Sequence, residues 1–388
     1  LYRINILGMI KTFSLLFVIG MASTACTQTT PIKAPKTVEE IIEYKKDNFN
    51  LGDFLSDNPY LDQKVNEIYE QIDDTARVAQ VIMPAIGKYG DEESTIINLV
   101  SSRKIGGLLL LNGSKNQCIA WATKFNEINL QKNSLPFLYS ADAEPTLFNR
   151  KIPGTAVVKK AKEIETIEEV EKTAEIISKE LNEIGINYNF SPVVDMSMNS
   201  TVGYRGFGQK PENIVPWSSR FITKTQEMNI IATAKHFPGH GLVSGDTHKS
   251  LQVIDGELKE IPTYPKLIED GVLSIMVGHL AVVNNEKYST DGLPATISSR
   301  IIKDLLIDSL KFKGLIVTDA MNMGGVTNFR SAELRSIEAG CDITLMPQNT
   351  ARAFDEIYKK FVTDASFQKR LEESSKKVIR MKICLGLI

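Results

Sequence analysis

Gly314-Leu315-Ile316-Val317-Thr318-Asp319 opens on a glycine, runs through four apolar or β-branched residues and stops at a carboxylate. A run with no polar face fits a strand buried on both sides, as in parallel sheets. Helical patterns flank it at 298–309 and 332–339, so the local unit is helix, strand, helix. Seven similar runs occur along the chain, at 79–85, 106–111, 135–141, 188–194, 230–235, 273–279 and 343–346, with amphipathic stretches such as 116–130, 164–184 and 218–228 between them. Eight buried strands alternating with helices predict an α/β chain folded as a single TIM-like (β/α)8 barrel, which at roughly 250 residues or more would use most of the sequence. Residues 37–75, rich in Glu, Asp and Lys, predict a short N-terminal helical extension, and 367–385 a closing C-terminal helix. No linker or shift of composition marks a second domain within 76–388.

Composition narrows the function. The 388 residues hold 45 Lys+Arg against 47 Asp+Glu, a formal charge of −2 that gives no support to nucleic-acid binding. Hydrophobic residues at 43% and charged residues at 24% exclude disorder throughout. Four cysteines, Cys26, Cys118, Cys341 and Cys384, lie far apart with no C-x-x-C pair, so neither a zinc cage nor a disulfide framework is written. The last three read as small buried apolar residues.

A barrel carries its site at the C-terminal ends of its strands. Polar residues stand at those positions: Asp142 after the third strand, Asp195 after the fourth, Lys235 and His236 at the fifth, His279 at the sixth and Asp319 after the seventh. Each alone can be a loop cap or salt bridge; so many on one rim point to a site. The densest stretch is Lys235-His236-Phe237-Pro238-Gly239-His240-Gly241 with Asp246-Thr247-His248, holding three of the four histidines. Three chemistries compete for it. A metal could use His236, His240, Asp246 and His248, although Pro238 and Gly239 argue against a helix that would present both loop histidines on one face. A Ser/His/Asp triad would need a nucleophile elbow, and no G-x-S-x-G occurs. The third is an acid/base His248 oriented by Asp246 and working with a distant carboxylate nucleophile, for which Asp319 is the candidate.

Lys-His-Phe-Pro-Gly-His-Gly with Asp-Thr-His, and the strand ending Thr318-Asp319-Ala320-Met321-Asn322-Met323, resemble glycoside hydrolase family 3, in particular its single-domain bacterial β-N-acetylglucosaminidases (β-hexosaminidases) that act on peptidoglycan fragments. The likeness extends from about Ala76 to the C-terminus and includes Ile105-Gly106-Gly107, the segment from Asp142 to Arg150, the run from Gly185 to Asp195, Gly203-Tyr204-Arg205-Gly206-Phe207-Gly208 and Ala339-Gly340-Cys341-Asp342. It implies a retaining exo-β-N-acetylglucosaminidase with Asp319 as nucleophile, His248 as acid/base and Asp246 as its partner. It also implies that Asp142, Arg150, Arg205, Lys235 and His236 bind the terminal sugar, that the partner is an amino-sugar glycan, and that neither a metal nor an organic cofactor takes part. For Asp195 and His279 the expectation is a structural role at strand ends, and for His240 a loop-fixing hydrogen bond. Two departures stand out: Asp142-Ala143-Glu144-Pro145-Thr146 replaces the usual Asp-Gln-Glu-Gly-Gly, and Leu242-Val243 replace a common Asp-Thr. Many β-glucosidases and β-xylosidases of the family take their acid/base from a further domain, whereas here a local group such as His248 is implied. The alternatives are a phosphorylase or β-glucosidase of the same family, or a glycan-binding lipoprotein without activity.

The N-terminus reads separately. Met9-Ile10-Lys11 and the apolar run 13–21 have the layout of a secretory signal peptide, with Met9 as the expected start, and the run is too short to span a bilayer. Ser23-Thr24-Ala25-Cys26 resembles a bacterial lipobox, although Ser23 stands where Leu is more usual. Residues 1–25 are thus expected to be a signal peptide, Cys26 a lipidation site that anchors an exported protein to the membrane, and 26–36 a tether.

Overall fold

The computed structural model describes residues 48–196 and 202–388. The described residues belong to one compact unit, 45–388, and residues 1–44 lie wholly outside them. The expected signal peptide, Cys26, the tether and the first part of the helical extension fall there too.

Eleven strands occur among the described residues: β1 (Ile82–Met83), β2 (Ala85–Gly87), β3 (Gly107–Leu111), β4 (Leu138–Ala141), β5 (Tyr188–Asn189), β6 (Ile231–Phe237), β7 (Gln252–Asp255), β8 (Ser274–Val277), β9 (Leu280–Val283), β10 (Leu315–Thr318) and β11 (Thr344–Leu345). Seven form one curled parallel sheet in the order β2-β3-β4-β5-β6-β8-β10, and β1 pairs in parallel with β11. All eight runs expected from the sequence thus contain strands, the first split into β1 and β2 at Pro84, which has no amide to donate. Long connections carry helices, as parallel pairing requires. Unexpected was the separate parallel pair β7–β9. Only Gly278 and His279 separate β9 from β8, so apolarity alone merges them into one run.

The continuous apolar runs are explained by two-sided burial. Leu109 and Leu111 of β3, with Leu315 and Val317 of β10, pack into an inner cluster with Met83, Tyr188 and Met276. Their neighbours Leu108 and Leu110 face one outer cluster and Ile316 another, beneath the helices. The helix Ile167–Ile184 shows the matching helical stripe: Val170, Ala174, Ile177, Leu181 and Ile184 are buried, Thr166 caps its start, and Gly185, at φ 91°, ends it. The region expected as a helix at 298–309 is a π-helix, Arg300–Ser309.

The N-terminal ends of the strands are sealed by the turn Leu51–Asp53, the helix Pro59–Gln71 and the C-terminal helix Ala365–Cys384. Leu51, Phe54, Leu61, Val378, Ile379 and Met381 join the inner cluster from there. Lys382 enters this seal fully buried, donating to Gln80 Oε1 at 2.6 Å and to the Gly106 carbonyl at 2.9 Å. Burial pushes its ammonium down to about 7. The unfolded chain keeps that proton up to the ordinary lysine value, so between pH 7 and 10 it holds more protons than the fold, and stability rises with pH. We expect Lys382→Met to remove about 2 kcal/mol of the gain between pH 7 and 9, read as the difference in urea-unfolding free energy; an unchanged slope would place Lys382 in a wetter environment.

Candidate functional site

The opposite end of the sheet gathers the charged residues. Asp142 directly follows β4, Lys235 and His236 belong to β6, and Asp319 directly follows β10. Strand ends fixed by ladder bonds and packed cores present these groups with little freedom.

Lys235 is 1% exposed, and its Nζ lies 2.6 Å from both Asp142 Oδ1 and Glu144 Oε1. Arg205 grips Glu144 with two bonds, Nε at 2.8 Å and Nη2 at 2.5 Å, and Lys151 Nζ reaches Asp142 Oδ2 at 2.6 Å. Burial works against ionisation of both carboxylates, but Lys151 and Lys235 hold Asp142 well below the usual range, and Arg205 and Lys235 bring Glu144 down to about 2. Burial likewise opposes the charge on Lys235, and Asp142 and Glu144 outweigh it. At neutral pH the cluster is therefore two carboxylates and three cations, a rigid set of charged hydrogen-bonding groups.

Beside it Asp195, also buried, binds His236 Nδ1 through Oδ2 at 2.7 Å and accepts the amides of His236 and His240 on Oδ1. This fixes the His236 ring with Nε2 as its remaining nitrogen. His279 donates from Nε2 to the Ala320 carbonyl and meets Thr296 Oγ1 with Nδ1, each at 2.9 Å. Its burial lowers its pKa, so a neutral imidazole braces the backbone next to Asp319. The strand-end roles expected for Asp195 and His279 agree with these bonds.

Asp319 donates its own amide to the Val277 carbonyl and accepts the Ala320 amide on Oδ1 at 2.8 Å. Burial raises its pKa, but His236, His279, the Ala320 amide and His248 together draw it below the usual aspartate value. It is an ionised, oriented carboxylate. His248 Nδ1 lies 2.8 Å from Asp246 Oδ1, which also accepts the His248 amide. The dyad docks on the loop after Asp319, where Gly324 and Gly325 donate their amides to the carbonyls of His248 and Thr247. A Cβ on Gly324 would stand 2.3 Å from the Lys249 carbonyl oxygen, so this approach requires glycine. An ionised, half-buried carboxylate, with an imidazole–carboxylate dyad docked on the loop that follows it, offers a nucleophile and a proton carrier, the pair that displacement at an acetal carbon requires.

His236, His240, Asp246 and His248 do not converge as metal ligands: His236 turns to Asp195, His240 to Thr247 and His248 to Asp246. Arg150 also departs from expectation. It is exposed, and the next residue, Lys151, reaches Asp142 instead. The short helix Phe148–Lys151 explains the exchange: Phe148 is fully buried, a residue three further on shares its face, and one two further on points away. Sequence reading missed Glu144 and Lys151 as site residues, although buried Phe148 sets the face that selects Lys151. It also missed Glu260, whose carboxyl group accepts the amides of Met196, Gly241 and Leu242. No local motif marks Glu260, which lies far from the loop in sequence.

The profile described as "Glycosyl hydrolase family 3 N terminal domain" matches residues 72–381. A beta-N-acetylglucosaminidase/beta-glucosidase of Cellulomonas fimi is 29% identical over 235 residues, covering 56% of this chain and 42% of that protein. A beta-hexosaminidase of Hydrogenovibrio crunogenus is 30% identical over 209 residues, covering 51% of this chain and 57% of its own length. The matches thus span about half the length of these curated relatives. Among solved structures, a family 3 beta-N-acetylglucosaminidase from Paenibacillus sp. superposes with a TM-score of 0.73 at 24% identity, over 81% of this chain and 63% of that one; at this identity the likeness concerns the fold.

The exchange of Arg150 for Lys151 is directly testable. Lys151→Met is expected to raise the Asp142 pKa toward the ordinary aspartate value, since one of its two cations is lost, while Arg150→Met leaves it nearly unchanged, both read by carboxyl-carbon NMR titration. The reverse ranking would place Arg150 beside Asp142 instead.

Proposed function

The chain belongs to glycosyl hydrolase family 3, and from that premise we propose that it is a retaining exo-β-N-acetylglucosaminidase that removes terminal β-linked N-acetylglucosamine, with peptidoglycan fragments as its source. The observation that carries this is the docking of the Asp246–His248 dyad against the loop that follows half-buried, ionised Asp319. In the first step an Asp319 carboxylate oxygen attacks the anomeric carbon while protonated His248 gives its proton to the departing glycosidic oxygen. The products are a glycosyl ester of Asp319, the free aglycone and a neutral His248. In the second step His248 takes a proton from water, the hydroxide attacks the same carbon, and the ester breaks to regenerate Asp319 and the protonated imidazole. Asp246 stabilises the ring when charged, and Asp142, Arg205, Lys235 and His236, with Lys151, hold the sugar hydroxyls.

The proposed scaffold is a closed (β/α)8 barrel within the domain 76–388. Supporting closure, the Thr318 and Met321 amides bond the Ile343 and Leu345 carbonyls on one side of β11, the Thr344 and Met346 amides bond those of Val81 and Met83 on its other side, and the Leu109 amide bonds Pro84. The proposed cellular setting is an exported lipoprotein anchored through Cys26, resting on Lys11, the apolar run 13–21 and Ser23-Thr24-Ala25-Cys26. Metabolic labelling with an alkyne fatty acid should tag the full-length protein and not Cys26→Ser; equal labelling of both would remove the anchor.

The deciding experiment is release of nitrophenol from aryl β-N-acetylglucosaminide and aryl β-glucoside, with and without phosphate. Preference for the acetamido sugar, indifferent to phosphate, is expected. A sugar 1-phosphate product would mark a phosphorylase, and silence on both substrates a binding protein. Asp319→Asn should lower kcat by about 1,000-fold or more, and His248→Ala should slow natural disaccharides far more than activated aryl glycosides; equal losses on both would remove His248 from the acid role.

A further inference from the structure

The acid/base dyad sits at the end of a loop whose two anchorages are unlike. At its start, the amides of His240, Gly241 and Leu242 are taken by two buried acidic side chains, the first by Asp195 and the other two by Glu260. Glu260 also accepts the Met196 amide at 2.6 Å, and Gly239, at φ 129°, lies so close that a Cβ there would stand 2.4 Å from Glu260 Cβ. At its far end, the carbonyls of Thr247 and His248 accept the amides of Gly325 and Gly324.

His248 itself is poorly held. Its side chain is 62% exposed, and its ring and amide bonds both go to Asp246, itself 29% exposed. The residue before it is the opposite: Thr247 is 1% exposed and bonded on two sides, by its carbonyl to Gly325 and by Oγ1 to His240 Nε2 at 2.9 Å. His240 is also buried, and its other ring nitrogen, Nδ1, has no partner among the described residues, so the Thr247 hydroxyl is the sole hydrogen-bonding restraint on the ring. This bond joins the clamped start of the loop to the residue that places the acid/base.

We propose that the His240–Thr247 hydrogen bond is the latch that positions His248 for proton transfer, making His240 and Thr247 positioning residues of the reaction. The inference rests on the hydrolase reading of the site. A group held through one backbone step loses its geometry when that step loosens, and an ångström of misplacement costs about 100-fold in a well-oriented proton transfer. Substrates whose leaving group departs unaided escape that loss, since they need little proton transfer from His248.

The test compares the wild type, Thr247→Val and Thr247→Ser on a β-linked N-acetylglucosamine disaccharide and on the dinitrophenyl glycoside, with thermal unfolding of each. For Thr247→Val the expected loss of kcat/KM on the disaccharide is about 10- to 100-fold, with at least a tenfold smaller loss on the dinitrophenyl substrate. Thr247→Ser, which keeps the hydroxyl, should return to within about threefold of wild type. His240→Asn, which withdraws the partner from Thr247, must reproduce the same selectivity and serves as the readout should Thr247→Val fail to fold. Equal losses on both substrates, or a valine variant as active as the serine one on the disaccharide, would overturn the latch. Wild-type silence on both substrates would instead overturn the hydrolase reading beneath it.

Discussion

Lys235 is an ammonium almost wholly removed from water, and everything around it answers that fact. An isolated charge so placed would cost several kcal/mol. The fold meets the cost by bringing Asp142 and Glu144 to 2.6 Å from the same nitrogen, and then by giving each carboxylate a second cation, Lys151 and Arg205. Hydrophobic packing of equal volume would stabilise such a position at least as well. A buried ion cluster at the C-terminal ends of strands is therefore better understood as a preformed set of hydrogen-bonding groups for a polyhydroxylated ligand than as a stability device. It also ties three segments together: the loop after β4, the segment carrying Arg205, and β6.

The two ends of the sheet solve opposite problems. At the N-terminal end, aliphatic residues of Pro59–Gln71 and Ala365–Cys384 complete the inner cluster, and Asp342, fully buried before β11, is matched by Arg370, Lys377 and Ser374 of the C-terminal helix. These contacts hold strands. At the other end the charged groups hold loops, and Asp195 with Glu260 satisfies amides that no strand or helix can take. Crowding two acidic side chains around one loop is itself unfavourable: burial and then Asp195 push Glu260 up to about 8, so at neutral pH it is mostly a neutral carboxyl group whose oxygens still accept the amides. A carboxyl group strained in this way stays where it is because the loop is built around it.

Much of this was legible in the sequence because burial writes itself into patterns of apolarity. All eight runs contain strands, and the helix 332–339 falls at its expected residues, since continuous apolar runs and amphipathic stripes are direct imprints of two-sided and one-sided packing. The β7–β9 pair escaped because β7 alternates between half-buried and exposed and β9 abuts β8. In the site, Asp319, Asp246 and His248 were visible as residue types at strand ends and in a glycine-rich loop. Arg150 is implied by the family resemblance, whereas orientation on a one-turn helix depends on which residue is buried, and the buried Phe148 turns Lys151 toward Asp142. Glu260 was invisible because its partners are backbone amides, which leave no residue-type signature.

The site also divides its labour by exposure. Asp319 is half-buried, drawn to the ionised form by nearby imidazoles and an amide, and fixed to a strand end. In the proposed reaction a nucleophile gains from such fixation because its target atom does not change between the two steps of a retaining displacement. The acid/base proposed at His248 has a different task, since it would first face a departing sugar oxygen and then a water molecule that enters only after the aglycone has left. An exposed imidazole on a loop can serve both, provided that the loop's path is set by something more rigid than the imidazole itself. Here that rigidity comes from main-chain bonds to Gly324 and Gly325 and from a loop start held by the buried side chains of Asp195 and Glu260. On the proposed mechanism, access for the aglycone and precision for the proton fall to adjacent residues, His248 in solvent and Thr247 in the core.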